Sequence, residues 1–377
     1  MSGLASAATA TIWLHADTAA HFRRLESLSG ALLAEPGFRV LLTHPGLAVS
    51  ANAHPMQQML ALTGDTEQLR ALLDTWTPDG LLLAVEVLPS TILAVATQAG
   101  LPVLIANMPE PAWRGLRMRL PGNRRNALRN VRHVFLTAEA TRPIWTTLLS
   151  EDARLTTVGP LGETPRAPAC NDAERDALAV ALRHRPVWLS LATPEPEEAA
   201  IIAAHREALR ASHRLLLVLH PTDPQRGAVL REGLARDFQV AQRSADDPLL
   251  PETQIYIADT EAEHGLWCRL ASVCFMGGTL SGTASAISPL EPACLGCAVV
   301  HGPRVQPYQD AYKLLSQAGA VLGLQRADGL GAILCEALRP DIAADLAHRA
   351  WQVLSEGAEA QATIIEALLA LPPKEQP

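Results

Sequence analysis

The chain has 377 residues, 48% of them hydrophobic, 19% charged and only 4% aromatic, with a formal net charge of −8. So long and aliphatic a chain exceeds one compact core, which predicts two domains of roughly 150 to 200 residues and excludes disorder. The acidic balance argues against general nucleic-acid binding, which asks for a basic surface.

Residues 1–16, MSGLASAATATIWLHA, carry neither a charged signal-type start nor the run of ~18 apolar residues that a membrane span needs, so the chain reads as cytosolic. From there, short apolar runs alternate with helical patterns. IWLHA (12–16), RVLLTH (39–44), GLLLAVE (80–86), LPVLIAN (101–107) and HVFLTA (133–138) read as buried strands, and segments such as TAAHFRRLESLSGALLAE and PSTILAVATQAG read as the helices between them. Clustered Pro and Gly between Thr157 and Arg185 mark a linker. A second series follows: VWLSLA (187–192), RLLLVLH (214–220), FQVAQ (238–242), QIYIAD (254–259), SVCFMGG (272–278), CAVVHG (297–302) and AVLGLQ (320–325), then helices from about Asp341 to Leu371. Alternating strands and helices imply parallel sheets with right-handed crossovers. The expected architecture is α/β, with two doubly wound domains at 1–165 and 166–377, facing each other across a cleft, the last helix crossing back. Ligands of such sheets bind at the carboxyl ends of the strands.

Six cysteines are scattered, mostly among apolar neighbours, as reduced core thiols are. Cys294 and Cys297 form a C-x-x-C with no second pair at a usable spacing, so no metal site is expected.

GGTLSGTASAISPLEPACLG (277–296) places a small-residue loop between a strand and a helix. Ser288, Pro289 and Glu291 fit the N-cap, N1 and N3 positions of a capping box, and Gly296 fits the closing C′ position. Glycines before a helix start also suit an approaching phosphate.

Taken in order, ATPEPEEAAIIAAH (192–205), LVLHPTDP (217–224), IADTEAEHGLWCRLASVCFMGGTL (257–280) and SPLEPACLGCAVVHGP (288–303) form a collinear series. It resembles STHEGEE, RHPER, GDTMGEL, FVGGSL and GGHNPLEPAALGKPV of the 3-deoxy-D-manno-octulosonic acid (Kdo) transferases, which move Kdo from CMP-Kdo onto lipid A precursors. More faintly, IWLHADTAAH (12–21) resembles IWIHAVSVGE, and LLLAVEVLPS (81–90) resembles LVVLMETELWPN.

The resemblance implies a GT-B glycosyltransferase of two Rossmann-like domains, the first holding the acceptor and the second the nucleotide sugar. It would be metal-independent, need no cofactor beyond its CMP-sugar donor, and invert by single displacement. On this reading Gly277, Gly278 and Thr279 border the phosphate and Glu291, after Ser288, accepts from ribose hydroxyls. Asp259, Thr260 and Glu263 line the donor side, and His220 stands at the family's RHP histidine. His21 aligns with the expected general base, a task that imidazole can perform at neutral pH. Asp17 is the second candidate, and Glu86 matches the second acid of ETE.

The chain departs from the family where GGHN becomes SAIS (285–288), where Leu219 replaces the Arg of RHP, and where Pro194 and Pro196 replace a His and a Gly, removing backbone donors. Arg304 is the candidate to restore the lost cation. WRGLRMRLPGNRRNALRNVR (113–132) holds seven arginines and no acid, among them Arg114, Arg117, Arg119, Arg124 and Arg125. Since Arg binds phosphate bidentately, it suits an anionic glycolipid acceptor or peripheral contact with the inner membrane. The resemblance also leaves two alternatives: a non-catalytic GT-B paralogue serving as a binding scaffold, and a transferase using another nucleotide sugar.

Overall fold

The computed structural model describes residues 10–46, 56–62, 64–114, 121–165, 167–183, 185–283 and 287–371. The chain divides into two compact units, one of Met1–Thr164 with Leu354–Pro377, the other of Pro165–Val353.

In chain order the first unit contains β1 (Ala10–Ala16), α1 (Ala19–Leu32), β2 (Phe38–His44), β3 (Gln57–Ala61), α2 (Thr66–Trp76), β4 (Gly80–Ala84), α3 (Ser90–Gln98), β5 (Val103–Ala106), α4 (Pro121–Ala127), β6 (Val131–Leu136), α5 (Arg142–Thr146) and β7 (Arg154–Thr157). The strands form one parallel sheet in the order β3-β2-β1-β4-β5-β6-β7. Alternate residues of each strand feed opposite faces. Trp13, Leu41, Leu81, Leu83, Val103 and Ile105 pack with Leu69, Leu72, Ile92 and Leu93 of α2 and α3. Ile12, Leu14, Val40, Leu42, Leu82 and Leu104 pack with Leu25, Leu28 and Leu32 of α1 on the other face. Burial on both faces explains why the central strands are unbroken apolar runs.

The second unit contains α6 (Asp172–Leu182), β8 (Val187–Thr193), α7 (Glu195–Ala211), β9 (Leu216–Pro221), α8 (Gly227–Leu234), β10 (Val240–Gln242), β11 (Ile255–Ile257), α9 (His264–Leu270), β12 (Val273–Met276), α10 (Leu290–Cys294), β13 (Ala298–His301), α11 (Gln309–Gln317), β14 (Val321–Gly323) and α12 (Leu330–Ala337). Its parallel sheet runs β10-β11-β9-β8-β12-β13-β14. Trp188, Leu217, Ile255, Phe275 and Val300 pack there with Ile201 of α7 and with Leu330 and Leu334 of α12. The six cysteines are free thiols.

The expected strands are all present, and two unanticipated ones, β3 and β7, form the edges of the first sheet. The terminal helices are one continuous 30-residue helix, α13 (Pro340–Leu369). Gly357 does not interrupt it; a Cβ there would stand 3.1 Å from the Cα of Gly162, so the glycine admits a close backbone approach. Among the described residues no helix is long and apolar enough to cross a membrane.

Candidate functional site

In each sheet the chain crosses from one half to the other beside its first strand, between β1 and β4 in the first unit and between β8 and β12 in the second. The crevice outside the carboxyl ends at such a point is where doubly wound sheets bind ligands.

At the first of these points the three residues proposed from sequence come together. Asp17 follows β1, and its Oδ2 accepts from the amides of Glu86 (2.8 Å) and Val87 (3.3 Å) just beyond β4. Its Oδ1 lies 3.0 Å from Nδ1 of His21 on the first turn of α1, where Thr18 caps the helix by accepting from the His21 amide. Burial alone would raise the Asp17 carboxyl, but the bonds from His21, Glu86 and Val87 outweigh it and hold it below the ordinary carboxylate value. An ionised carboxylate only accepts, so the shared proton sits on Nδ1 and leaves Nε2 as the basic nitrogen. His21 is buried at 6% exposure, whereas Glu86 is exposed and lies past the end of its strand, joined to the site through its amide. The expectation that Glu86 ends a buried strand is therefore corrected: β4 stops at Ala84. Two further imidazoles, unnoticed in the sequence, flank Asp17. Burial pushes His15 down to about 4, partly offset by Asp17, and also lowers His44.

At the second point the loop amides are already engaged. Gly277 donates to Leu191 O (2.8 Å), and the buried Glu197 of α7 accepts from the amides of Gly278 (3.0 Å), Leu280 (2.8 Å) and Ser281 (2.7 Å) and from the Ser281 hydroxyl (2.8 Å). Thr279 is fully buried; its hydroxyl donates to Met276 O at 2.5 Å and accepts from the Gly302 amide at 2.8 Å. A phosphate beside Gly277, Gly278 and Thr279 would therefore find the Gly277 and Gly278 amides and the Thr279 hydroxyl already engaged. The helix meant to present its N-terminus, α10, has five residues, too few for an appreciable macrodipole. Its far end is built as expected, a Schellman turn with Gly296 at φ +88°, its amide on Ala293 O and that of Cys297 on Pro292 O.

The capping box is half made. Ser288 Oγ accepts from Leu290 N at 3.3 Å, but Glu291 sends its carboxylate to Nε2 of His264 at 3.1 Å. That hydrogen bond raises the His264 pKa against the opposing effect of burial. His220, at the end of β9, accepts from the Ala192 amide through Nδ1 (3.1 Å) and is pushed down to about 4 by burial, with the neighbouring His264 adding to the depression. It thereby holds Ala192 at φ +51°, a left-handed conformation costly for a residue with a Cβ.

Three other donor-side residues are turned inward. Asp259 is buried and accepts from Gln242 Nε2, Ser244 N and Ser244 Oγ at 2.7, 2.9 and 2.7 Å. Glu263 pairs with Arg243 at 2.8 Å and accepts a hydrogen bond from the Thr260 hydroxyl, while Arg243 also reaches Glu174. These acids tie β10, α6 and α9 together, and beside them a cavity of about 340 Å³ opens, with Asn171, Glu174, Glu263 and Leu266 in its wall. Arg304 is exposed and, among the described residues, has no carboxylate partner; its side chain lies against Gly282, where a Cβ would come within 2.6 Å of Arg304 Cδ.

Arg114 and Arg125 are exposed and Arg124 is partly so, with Arg125 donating to Thr147 O at 3.2 Å. Arg117 and Arg119 lie outside the described residues. Among the described residues no group of three or more His, Cys, Asp or Glu side chains could hold a metal ion. Sequence reasoning missed Glu197 and His264; the acid-rich start of α7 and the His next to Glu263 were the available signals.

The fold is α/β, with two Rossmann-like doubly wound parallel sheets, the makeup that GT-B glycosyltransferases require. No family model matches the chain. It is 24% identical over 279 residues to the 3-deoxy-D-manno-octulosonic acid transferase of Rickettsia bellii, covering 74% of this chain and 66% of that one. To the transferase of the same description from Haemophilus influenzae it is 29% identical over 139 residues, 37% of this chain and 32% of that one. The chain thus spans less than two thirds of the length of these relatives. Among solved structures it is similar to the C-terminal CMP-Kdo binding domain of WaaA from Acinetobacter baumannii (28% identity, 49% of this chain, 99% of that one, TM-score 0.45). It is also similar to MurG of the same organism (14% identity, 96% and 99% covered, TM-score 0.49). Over about three quarters of its length the chain is thus similar in sequence to Kdo transferases.

Proposed function

We propose that the protein is a glycosyltransferase that moves Kdo or a related sugar from a CMP-activated donor to a lipid A-type acceptor in lipopolysaccharide biosynthesis. The observation that carries this reading is the Asp17–His21 pair, which forms at the switch point of the first sheet, where the family's general base is expected. His21 Nε2 takes the proton of the acceptor hydroxyl as that oxygen attacks the anomeric carbon, the bond from that carbon to the phosphate oxygen breaks and CMP leaves with the electron pair, and the ionised Asp17 stabilises the resulting imidazolium. Glu86 adds a second carboxylate nearby. In the second unit His220, Ser288, Glu291 and Arg304 serve the donor: Glu291 accepts from ribose hydroxyls, sharing its carboxylate with His264, and Arg304 neutralises the phosphate. Arg114, Arg117, Arg119, Arg124 and Arg125 take the phosphates of an anionic glycolipid and hold the protein peripherally at the inner membrane.

The test is CMP release from CMP-Kdo with a lipid A-type acceptor, alongside calorimetric titration with CMP, UDP and GDP. CMP binding and acceptor-dependent release are expected. A preference for UDP would point to another nucleotide sugar. Absence of any nucleotide binding at millimolar concentration would favour the second reading, a GT-B scaffold without catalysis, which the occupied amides of Gly278, Leu280 and Ser281 support.

A further inference from the structure

Glu197 is 1% exposed, and among the described residues no Arg, Lys or His pairs with it. A buried carboxylate without a cation is costly unless hydrogen bonds satisfy it. Here four donors do so, three of them amides of one short segment: Oε2 takes Gly278 N, and Oε1 takes Leu280 N, Ser281 N and Ser281 Oγ. Closely spaced amides of one segment converging on one anion form a nest-like cradle, the arrangement that binds phosphate in other loops. The two acids beside Glu197 behave differently, since Glu195 and Glu198 both pair with Arg226.

The nest is clamped from both sides. Gly277 sits so close to the end of β8 that a Cβ would stand 2.2 Å from Ala192 O, leaving no room for a ligand between the loop and the strand. On the outer side, Arg304 N donates to Thr279 O at 2.9 Å, and the Arg304 side chain crosses Gly282, whose φ of +80° and missing Cβ allow the crossing. The carboxylate inside and the cation outside are thus linked through one loop.

We propose that Gly278–Ser281 is an anion-binding nest that the chain fills with its own carboxylate, making Glu197 the positioning residue for the loop that presents Arg304 to a donor phosphate. The phosphate is then read by a side-chain cation on the open face of the loop, and the loop amides do not touch it. The nest stands on the geometry alone, whereas the link to the donor rests on the function proposed above.

The experiment has two arms, both on the full chain. Amide hydrogen exchange of Gly278, Leu280 and Ser281 is compared between wild type, Glu197→Ala and the volume-preserving Glu197→Gln, in formate and in chloride at equal ionic strength. Emptying the nest is expected to speed exchange at these amides by about tenfold or more. Formate, a free carboxylate, is expected to restore protection in Glu197→Ala and to leave wild type unchanged. Unaltered exchange in both variants, or no difference between formate and chloride, overturns the nest. In the second arm CMP is titrated: Glu197→Ala is expected to bind about tenfold more weakly (~1.4 kcal/mol) and to recover in formate. Tighter CMP binding in Glu197→Ala would overturn the positioning role, because Glu197 would then be a competitor of the phosphate. If wild type fails to bind CMP while formate rescue holds, the donor reading and the positioning of Arg304 for it fall and the nest stands.

Discussion

Nε2 of His264 lies 3.1 Å from Oε2 of Glu291, joining the start of α9 to the first turn of α10 across 27 residues of sequence. A capping motif in the sequence thus becomes one half of an ion pair, and the acid expected to hold a ribose already has a partner.

The pair gives a pH signature. Its hydrogen bond raises the His264 pKa, so its stabilisation is fully present below the unfolded histidine value and is lost as pH rises through the raised folded value. Both side chains are about a quarter exposed, which limits the effect to below ~1 kcal/mol. The melting-temperature gap between wild type and Glu291→Gln should shrink as pH rises above the unfolded histidine value of about 6.5 and through the raised folded value. A gap independent of pH would mean that the pair does not act through charge.

The Asp17–His21 pair predicts an order of severity. His21→Ala should lower turnover by roughly 10² to 10⁴ with the fold retained. Asp17→Asn can still accept the Glu86 amide but cannot stabilise an imidazolium, and should lose up to ~10⁴-fold, comparable to His21→Ala. Glu86→Gln should lose least, since the site engages its amide rather than its carboxylate. Steady-state rates with CMP-Kdo provide the check, and a Glu86 variant worse than His21→Ala would reverse the assignment.

Buried neutral histidines should make the protein acid-labile. His15, His205 and His220 are each pushed down to about 4 by burial. The unfolded chain therefore binds more protons between about pH 6.5 and about pH 4, and stability falls as pH drops through that window, each histidine contributing at most ~1.4 kcal/mol for every pH step of about one. Urea midpoints should decline across it. His205→Gln, which keeps an acceptor for the Trp188 indole N–H, should make the decline shallower.

Two glycines should respond oppositely to alanine. A Cβ on Gly265 would stand 2.4 Å from Ala169 O and 2.9 Å from Pro168 O, both backbone atoms, so Gly265→Ala should cost ~1–3 kcal/mol. Gly233 in α8 has no atom within 4 Å of its added Cβ, and Gly233→Ala should gain up to ~1 kcal/mol from helix propensity. Chemical denaturation distinguishes them.

What the sequence disclosed follows from how each element is buried. β1, β4 and β8 have covered faces on both sides and read as apolar runs. β3 and β7 are sheet edges in which only Met59 is buried, so QQMLA and RLTT carry no comparable pattern. The site was legible where it is local: Asp17 and His21 are one helical turn apart, and Gly296 closes its helix as a C′ glycine does. It was illegible where partners are distant. Glu197 reads as a first-turn acid suited to the helix dipole, and only folding brings it to amides 81 to 84 residues away. Likewise, nothing local in GDTMGE-like residues says that Asp259 turns to Gln242 and Ser244 rather than toward a ligand.

The division of α13 bears on how the chain is made. Residues Pro340–Val353 belong to the second unit, but Ile364 and Leu368 are fully buried in the core of the first, beside Ile12, Leu14 and Leu25. During synthesis the second unit has its whole sequence once Val353 has left the ribosome, whereas the first still lacks part of its interior. The unit translated first is therefore completed last, and until then the part of its sheet face that α1 does not cover remains open to chaperones or to premature association.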